Sequence, residues 1–94
     1  MKVAVRSLGL IRQLLGAAEV DVTLSEGATF PDLLARLVEE KGDKFAPYAR
    51  PTEGTAYAPL RIVINGRDLT PAQGREHVLA DGDDVLIFLP IAGG

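Results

Sequence analysis

The sequence predicts an α+β fold: a mixed sheet of four to five strands with one main helix packed on one face. Three observations predict it. Residues 2–6 and 20–24 alternate apolar and polar side chains, the mark of half-buried strands. Residues 30–41 carry an apolar stripe at helical spacing between clear start and stop signals. Two further apolar runs, 60–64 and 85–89, lie beside Asn-Gly and Asp-Gly turn signals.

The opening "MKVAVRSLGL" places Lys2, Ala4 and Arg6 outward and Val3 and Val5 inward. "IRQLLGAAE" is short and broken by Gly16, so it reads as a turn of helix or a hairpin loop. "VDVTL" alternates again and is rich in β-branched residues, which suit a pleated, half-buried surface. It pairs with the first strand as an antiparallel hairpin. In "TFPDLLARLVEEKG", Thr29 is a good N-cap. Asp32 completes a weaker form of the capping box, which prefers Glu or Gln there. Pro31 sits in the first turn, where its missing N–H is harmless. Phe30, Leu33, Leu34, Leu37 and Val38 form the apolar face, and Gly42 is the stop. The segment 43–59 holds three prolines and both tyrosines without a sustained period, and reads as a long surface loop that Tyr48 and Tyr57 anchor onto the body. "LRIVI" is a strand closed by Asn65-Gly66, "RDL" a short return strand, and Asp81-Gly82 a turn before the last strand. That strand, 85–89, shows little alternation, as in one covered on both sides or central in a sheet.

One helix serving a sheet of this size must cover one face. A parallel first and last strand at the centre, joined by a right-handed crossover through the helix, satisfies the connection rules. This is the β-grasp, or ubiquitin-like, arrangement. No internal repeat or second domain is visible, so residues 1–94 read as one domain with a flexible tail from about residue 90.

Composition narrows the function classes. The chain of 94 residues is 47% apolar and 24% charged, ordinary for a globular domain with one modest core. A net charge of −3 disfavours nucleic acid, whose binders show a basic face. No apolar run approaches the length of a membrane span and no signal peptide is seen, so no membrane partner is expected. The absence of cysteine removes disulfides, thiolate metal sites and cysteine nucleophiles, and suits the cytoplasm.

The tail "PIAGG" carries the chemistry. Two terminal glycines arise by chance in roughly 0.5% of chains at average usage, and frayed ends are ordinarily polar. Without a Cβ, Gly93 and Gly94 can thread a narrow channel close to another protein's catalytic groups. Gly94 presents an unhindered carboxylate. A carboxylate oxygen can attack the α-phosphate of ATP to form an acyl-adenylate, which a sulfur or nitrogen nucleophile then opens. Nothing upstream looks like a catalyst, so another protein must supply the activation.

With this element order, "VINGRDL", "LADGDDV" and above all "IFLPIAGG", the chain resembles the MoaD/ThiS family of ubiquitin-like sulfur carriers. The similarity covers nearly the whole chain except 43–59 and is closest to the small subunit of molybdopterin synthase. It departs from that pattern at Leu89, where those members often carry proline, so the pathway stays open. The resemblance implies that a ubiquitin-activating-like adenylyltransferase uses ATP to adenylate Gly94, with Gly93 as spacer. A sulfur donor then makes the thiocarboxylate, which a synthase large subunit positions for molybdenum cofactor biosynthesis. The resemblance further implies a chain that binds no cofactor itself and serves as a non-catalytic carrier subunit, supplying the thiocarboxylate to a partner synthase. The resemblance also implies docking through Phe88, through Leu8 as a bulky residue on the first strand, and through the tail residues Pro90, Ile91 and Ala92. Against interface roles stands plain core packing of Phe88 and Leu8. Alternatives are a carrier for cysteine, thiamine or tRNA thiolation, toward which the 43–59 insertion leans, a ubiquitin-like modifier joined to lysines, and a binding module with an inert tail.

The remaining candidates read as structural. His77, the single histidine, sits in a polar segment and is expected in a solvated loop without further metal ligands. Asp81, Asp83 and Asp84 lack the EF-hand spacing and read as a turn. Arg61, Arg67 and Arg75 read as a solvated face. "GAAEVD" is too short to cradle a phosphate and lacks the P-loop lysine.

Overall fold

The structure, a computed structural model, describes residues 1–42, 45 and 60–89. The expected surface loop over 43–59, apart from Phe45, lies outside the described residues, as do Pro90, Ile91, Ala92, Gly93 and Gly94. In chain order the described elements are β1 (Lys2–Ser7), α1 (Gly9–Leu15), β2 (Glu19–Thr23), α2 (Phe30–Lys41), β3 (Arg61–Ile64), β4 (Arg67–Leu69), α3 (Pro71–Glu76) and β5 (Asp84–Phe88).

The strands form one five-stranded sheet in the order β2-β1-β5-β3-β4. β1 and β5 run parallel at its middle, with Val5 opposite Val85 and Ser7 opposite Ile87. β2 and β3 flank them antiparallel. This is the β-grasp arrangement that the element order predicts.

Alternation along each strand decides the two faces. Val3 and Val5 of β1, Val22 of β2, Ile62 and Ile64 of β3, and Val85 and Ile87 of β5 point inward and are buried. Helix α2 lays Phe30, Leu33, Leu34 and Leu37 on this inner face, all fully buried; Val38 packs at its margin. Burying a side chain of this kind stabilises by about 1.5–3 kcal/mol, so the stripe outweighs any single surface interaction. Both halves of the capping box form: Thr29 Oγ1 accepts from the Asp32 amide, and the Asp32 carboxylate accepts from the Thr29 amide at 2.9 Å.

Three expectations need adjustment. "IRQLLGAAE" resolves as helix: α1 buries Ile11 and Leu15 and ends on Gly16, whose φ of 82° and N–H donated to the Arg12 carbonyl form a left-handed cap. A third helix, α3, occupies part of the segment read as polar loop. Its signal stood in "TPAQ": Thr70 caps it, Gln73 returns the capping-box bond, and Pro71 takes the first turn. Finally, β5 is central but alternates in burial. Val85 and Ile87 are buried, whereas Leu86 and Phe88 are half-buried, because the described helices send their buried side chains to the inner core.

The β3–β4 turn fixes where β5 begins. At the β3–β4 hairpin Asn65 and Gly66 both take positive φ, 53° and 81°, the conformation a two-residue turn of this hand requires. The Asn65 side chain then donates to Asp83 Oδ1 and accepts from the Asp84 amide, each at 2.9 Å. On the other side, α3 packs close to β3 because residue 74 is glycine. A Cβ there would stand 2.8 Å from Ile62 Cδ1.

Candidate functional site

The outer face of the sheet is built by the residues that alternation turns away from the helices. On β5 these are Asp84, Leu86 and Phe88. Register places Ala4 level with Asp84 and Arg6 level with Leu86 on one side. On the other side Val63 is level with Leu86 and Arg61 with Phe88. Ala4, Val63, Leu86 and Phe88 are all half-buried, so a small apolar strip runs along the central strands and ends at Phe88.

Charged side chains frame the strip and partly neutralise each other. Arg6 grips Asp84 with two bonds, Nε to Oδ1 at 2.9 Å and Nη2 to Oδ2 at 2.7 Å. Arg61 pairs with Asp68 of β4. Both pairs are about half exposed, so their contribution to stability is small. Their chief effect is positional: the bidentate fork holds a guanidinium in one orientation beside the apolar strip. Farther out on the same face, β2 adds the exposed carboxylates of Glu19 and Asp21, opposite Arg6 and Ala4.

Leu8 falls one residue beyond β1, at the N-cap of α1, rather than on the first strand. Its backbone is still extended, and it follows Ser7, the partner of Ile87. It therefore continues the outer-face row toward the level of Phe88. Its exposure of 56% rules out a core role. Phe88, half-buried on the outer face, is likewise absent from the buried core. The structure thus brings Leu8 and Phe88 to one end of the sheet, where the chain leaves β5 for Leu89 and the tail. Nothing in the sequence marks Arg6 and Asp84 as a pair. The signal was present only as alternation, since their partnership depends on β1 and β5 running parallel across 78 positions of sequence.

The acidic turn is engaged structurally. Asp81 Oδ1 accepts the Lys2 amide at 2.7 Å, and Asp84 holds Arg6. Asp83 is buried, and accepts from the Ala80 amide and the Asn65 side chain, each at 2.9 Å. Burial pushes its carboxyl up, but the Ala80 and Asn65 hydrogen bonds and the neighbouring His77 ring outweigh that and hold it below the usual range. His77 departs from the solvated-loop expectation. It is the C-cap residue of α3, its side chain is 31% exposed, and its Nε2 is buried. Of the three arginines read as a solvated face, Arg67 and Arg75 are exposed and Arg61 is paired. Among the described residues no group of three or more His, Asp or Glu side chains is placed to hold a metal, and no helix is long and apolar enough to cross a membrane.

The sequence and the fold both have matches among known proteins. A family model described as the ThiS family matches residues 5–94. Small archaeal modifier protein 3 of Haloferax volcanii is 30% identical over 95 residues, spanning 100% of both chains. The solved structure of a Pyrococcus furiosus protein designated molybdopterin converting factor, subunit 1, is 30% identical, with 97% of this chain and 99% of that chain covered and a TM-score of 0.72. The crystal structure of SAMP1 from Haloferax volcanii superposes over 100% of both chains with a TM-score of 0.77 at 22% identity, a likeness of fold.

Proposed function

The chain belongs to the ThiS family, and from that premise we propose that it is a ubiquitin-like sulfur carrier with Gly94 as its reacting residue. In this reading a Gly94 carboxylate oxygen attacks the α-phosphorus of ATP on a ubiquitin-activating-like adenylyltransferase, and pyrophosphate leaves. A hydrosulfide-level sulfur nucleophile then attacks the acyl carbon, the bond to AMP breaks as the C–S bond forms, and the thiocarboxylate remains. Gly93 is the spacer that lets the tail pass. Pro90, Ile91 and Ala92 line the partner's channel, while Leu8 and Phe88 dock the body outside it. The chain supplies the reacting group and the partner supplies the catalysis. The acceptor is a molybdopterin synthase large subunit. The 30% identity to the Pyrococcus furiosus converting factor subunit, over nearly the full length of both chains, supports that assignment.

The observation that carries the reading is the place of Phe88. It ends the central strand on the outer face, half-buried and in line with exposed Leu8, so an apolar docking strip stands beside the point where the tail departs. Intact-protein mass spectrometry of the chain from its native host is the test. A gain of ~16 Da, one oxygen exchanged for sulfur, lost on deletion of Gly94, is expected for an acyl group activated in this way. An unmodified mass under sulfur-replete conditions, together with no adenylation by the activating enzyme, removes the carrier.

One observation favours a second reading within the same chemistry. The 30% identical Haloferax volcanii relative is named a modifier. A modifier's acyl-adenylate ends in an isopeptide bond to a target lysine. Higher-mass conjugates that disappear with Gly94 deletion, without the sulfur mass shift, would select it.

A further inference from the structure

Strand β2 borders the sheet, and among the described residues no strand pairs with its outer edge. Its pairing with β1 shows which of its backbone groups are already used. The Leu24 amide donates to Met1 at 2.8 Å and the Ser7 amide to Ala18 at 3.0 Å. In an antiparallel ladder such bonded pairs recur at every second residue. Ala18, Val20, Val22 and Leu24 therefore turn their N–H and C=O groups toward β1. Glu19, Asp21 and Thr23 turn theirs to the open edge, and all three residues are exposed. The opposite border, β4, is only three residues long and gives way to α3 at Pro71.

A bare edge strand accepts another strand, and its side chains decide which one. Glu19 and Asp21 stand on the outer face. Among the described residues neither carboxylate makes an ion pair or a side-chain hydrogen bond. Arg6, level with Glu19, is held by Asp84, and Lys2 is level with Thr23 and pairs with neither. On the inner face Val20 is only half-buried. Past the end of β2 the edge opens into a cleft between residues 23–28 and α2, lined by the carboxylates of Glu26, Asp32 and Glu39. Arg36, the cation in that lining, is paired with Glu39 and Glu40, and Glu26 lies 3.8 Å from the Met1 ammonium.

We propose that the β2 edge binds an extended segment of a partner protein as an added antiparallel strand, one that alternates basic and apolar residues. Its backbone pairs with the open groups of Glu19, Asp21 and Thr23. Its basic residues lie level with Glu19 and Asp21, where opposite charges directly across a ladder attract. Its apolar residues lie level with Val20 and Val22 and cover what Val20 still exposes. Main-chain bonds supply the affinity and alternate side chains the selectivity.

A second copy of this chain is the poorer occupant. An antiparallel β2 from another copy, in the register that engages Glu19, Asp21 and Thr23 together, sets Asp21 against its own counterpart. Like charges directly opposite are destabilising. The inference goes beyond the sulfur-carrier reading and does not rest on it, since the apolar strip of Ala4, Val63, Leu86 and Phe88 lies on other strands.

The probe is a short blocked peptide that alternates lysine and valine, titrated to about 1 mM, the range of weak binding, into the isotope-labelled full chain. Two control peptides accompany it. One carries glutamate in place of lysine, and the other is N-methylated at its lysine amides so that it cannot donate to the ladder. Saturable NMR shifts and slowed hydrogen exchange are expected at the Glu19, Asp21 and Thr23 amides. Both controls should bind at least about fivefold more weakly. Glu19→Lys combined with Asp21→Lys should weaken the lysine peptide by at least about fivefold and favour the glutamate peptide instead. If that double variant does not fold, the control peptides on the wild-type chain decide alone. Absence of saturable shifts at the edge overturns the proposal and leaves the two carboxylates as guards against aggregation. Shifts centred on Leu86 and Phe88, or equal binding by the N-methylated peptide, overturn it as well. So does a concentration-dependent dimer in sedimentation that protects the same amides, which would give the edge to a second copy.

Discussion

Asn65 meets two demands at one position. Its backbone sits at φ 53°, where residues with a Cβ other than Asn and Asp are strained by about 1–2 kcal/mol. Its amide joins Asp83 to the Asp84 N–H, and losing such a bridge leaves buried polar groups short of partners, at about 1–3 kcal/mol. The two effects separate by substitution. Asn65→Gly keeps the backbone and loses the bridge, whereas Asn65→Ala loses both. Urea unfolding should rank stability as wild type, then Gly, then Ala. Equal losses for both variants would show that the backbone conformation carries no cost. Asp83 adds a pH signature of its own. Its folded-state pKa is depressed, so its contribution is present above the ordinary aspartate range near ~3.9 and is lost as the pH falls through its lower folded value. In Asp83→Asn the neutral-pH stability falls, and the difference from wild type should shrink in acid titrations below about pH 4.

At the scale of elements, α3 is the instructive case. It is six residues long, too short to hold itself together in water, so its cap and its contact with β3 decide it. Gly74 allows that contact. A β-branched side chain there would push into fully buried Ile62 and Phe30, and overpacking of this kind costs about 1–3 kcal/mol. Gly74→Val is therefore expected to lower the unfolding midpoint, and Gly74→Ala to do so less, since alanine's helix preference offsets about 1 kcal/mol. A Val variant as stable as wild type would mean that α3 does not lean on β3. The same element shows what the sequence made legible. α2 was readable to the residue, because an apolar stripe, a cap and a glycine stop agree. The strands were readable from alternation, and the Asn65-Gly66 hairpin from its turn chemistry. α3 was passed over because one buried glycine and no apolar stripe mark its packing. The half-burial of Leu86 and Phe88 was not legible either. A run of five apolar residues looks the same whether one face or both are covered, and only the siting of the helices separates the two. Leu8 and Phe88 could be named from resemblance, but their meeting at one end of the sheet needed the parallel register of β1 and β5.

For the whole molecule, the core and the proposed docking strip fall on opposite faces of the sheet, and adjacent residues on β5 test the division. Ile87 points into the core and is fully buried. Its truncation to alanine removes packing that surrounding side chains cannot refill, at about 2–5 kcal/mol. Phe88, the next residue, is half-buried on the outer face and keeps part of its ring in contact with solvent. Its truncation should cost about 1–2 kcal/mol, in proportion to the apolar area it hides. For association the order reverses. A partner that covers the strip from Ala4 to Phe88 would bury the aromatic ring and exposed Leu8 completely, and such central aromatic anchors carry most of an interface's energy. Phe88→Ala is therefore expected to weaken binding to the activating enzyme at least about tenfold, or about 1.4 kcal/mol, while retaining a cooperative unfolding transition. Ile87→Ala, measured where it remains folded, should bind within about threefold of wild type, because it never reaches the partner. Calorimetric titration of both variants against the enzyme decides the matter. Undiminished binding by Phe88→Ala would remove the outer face as the docking surface and leave recognition to the tail.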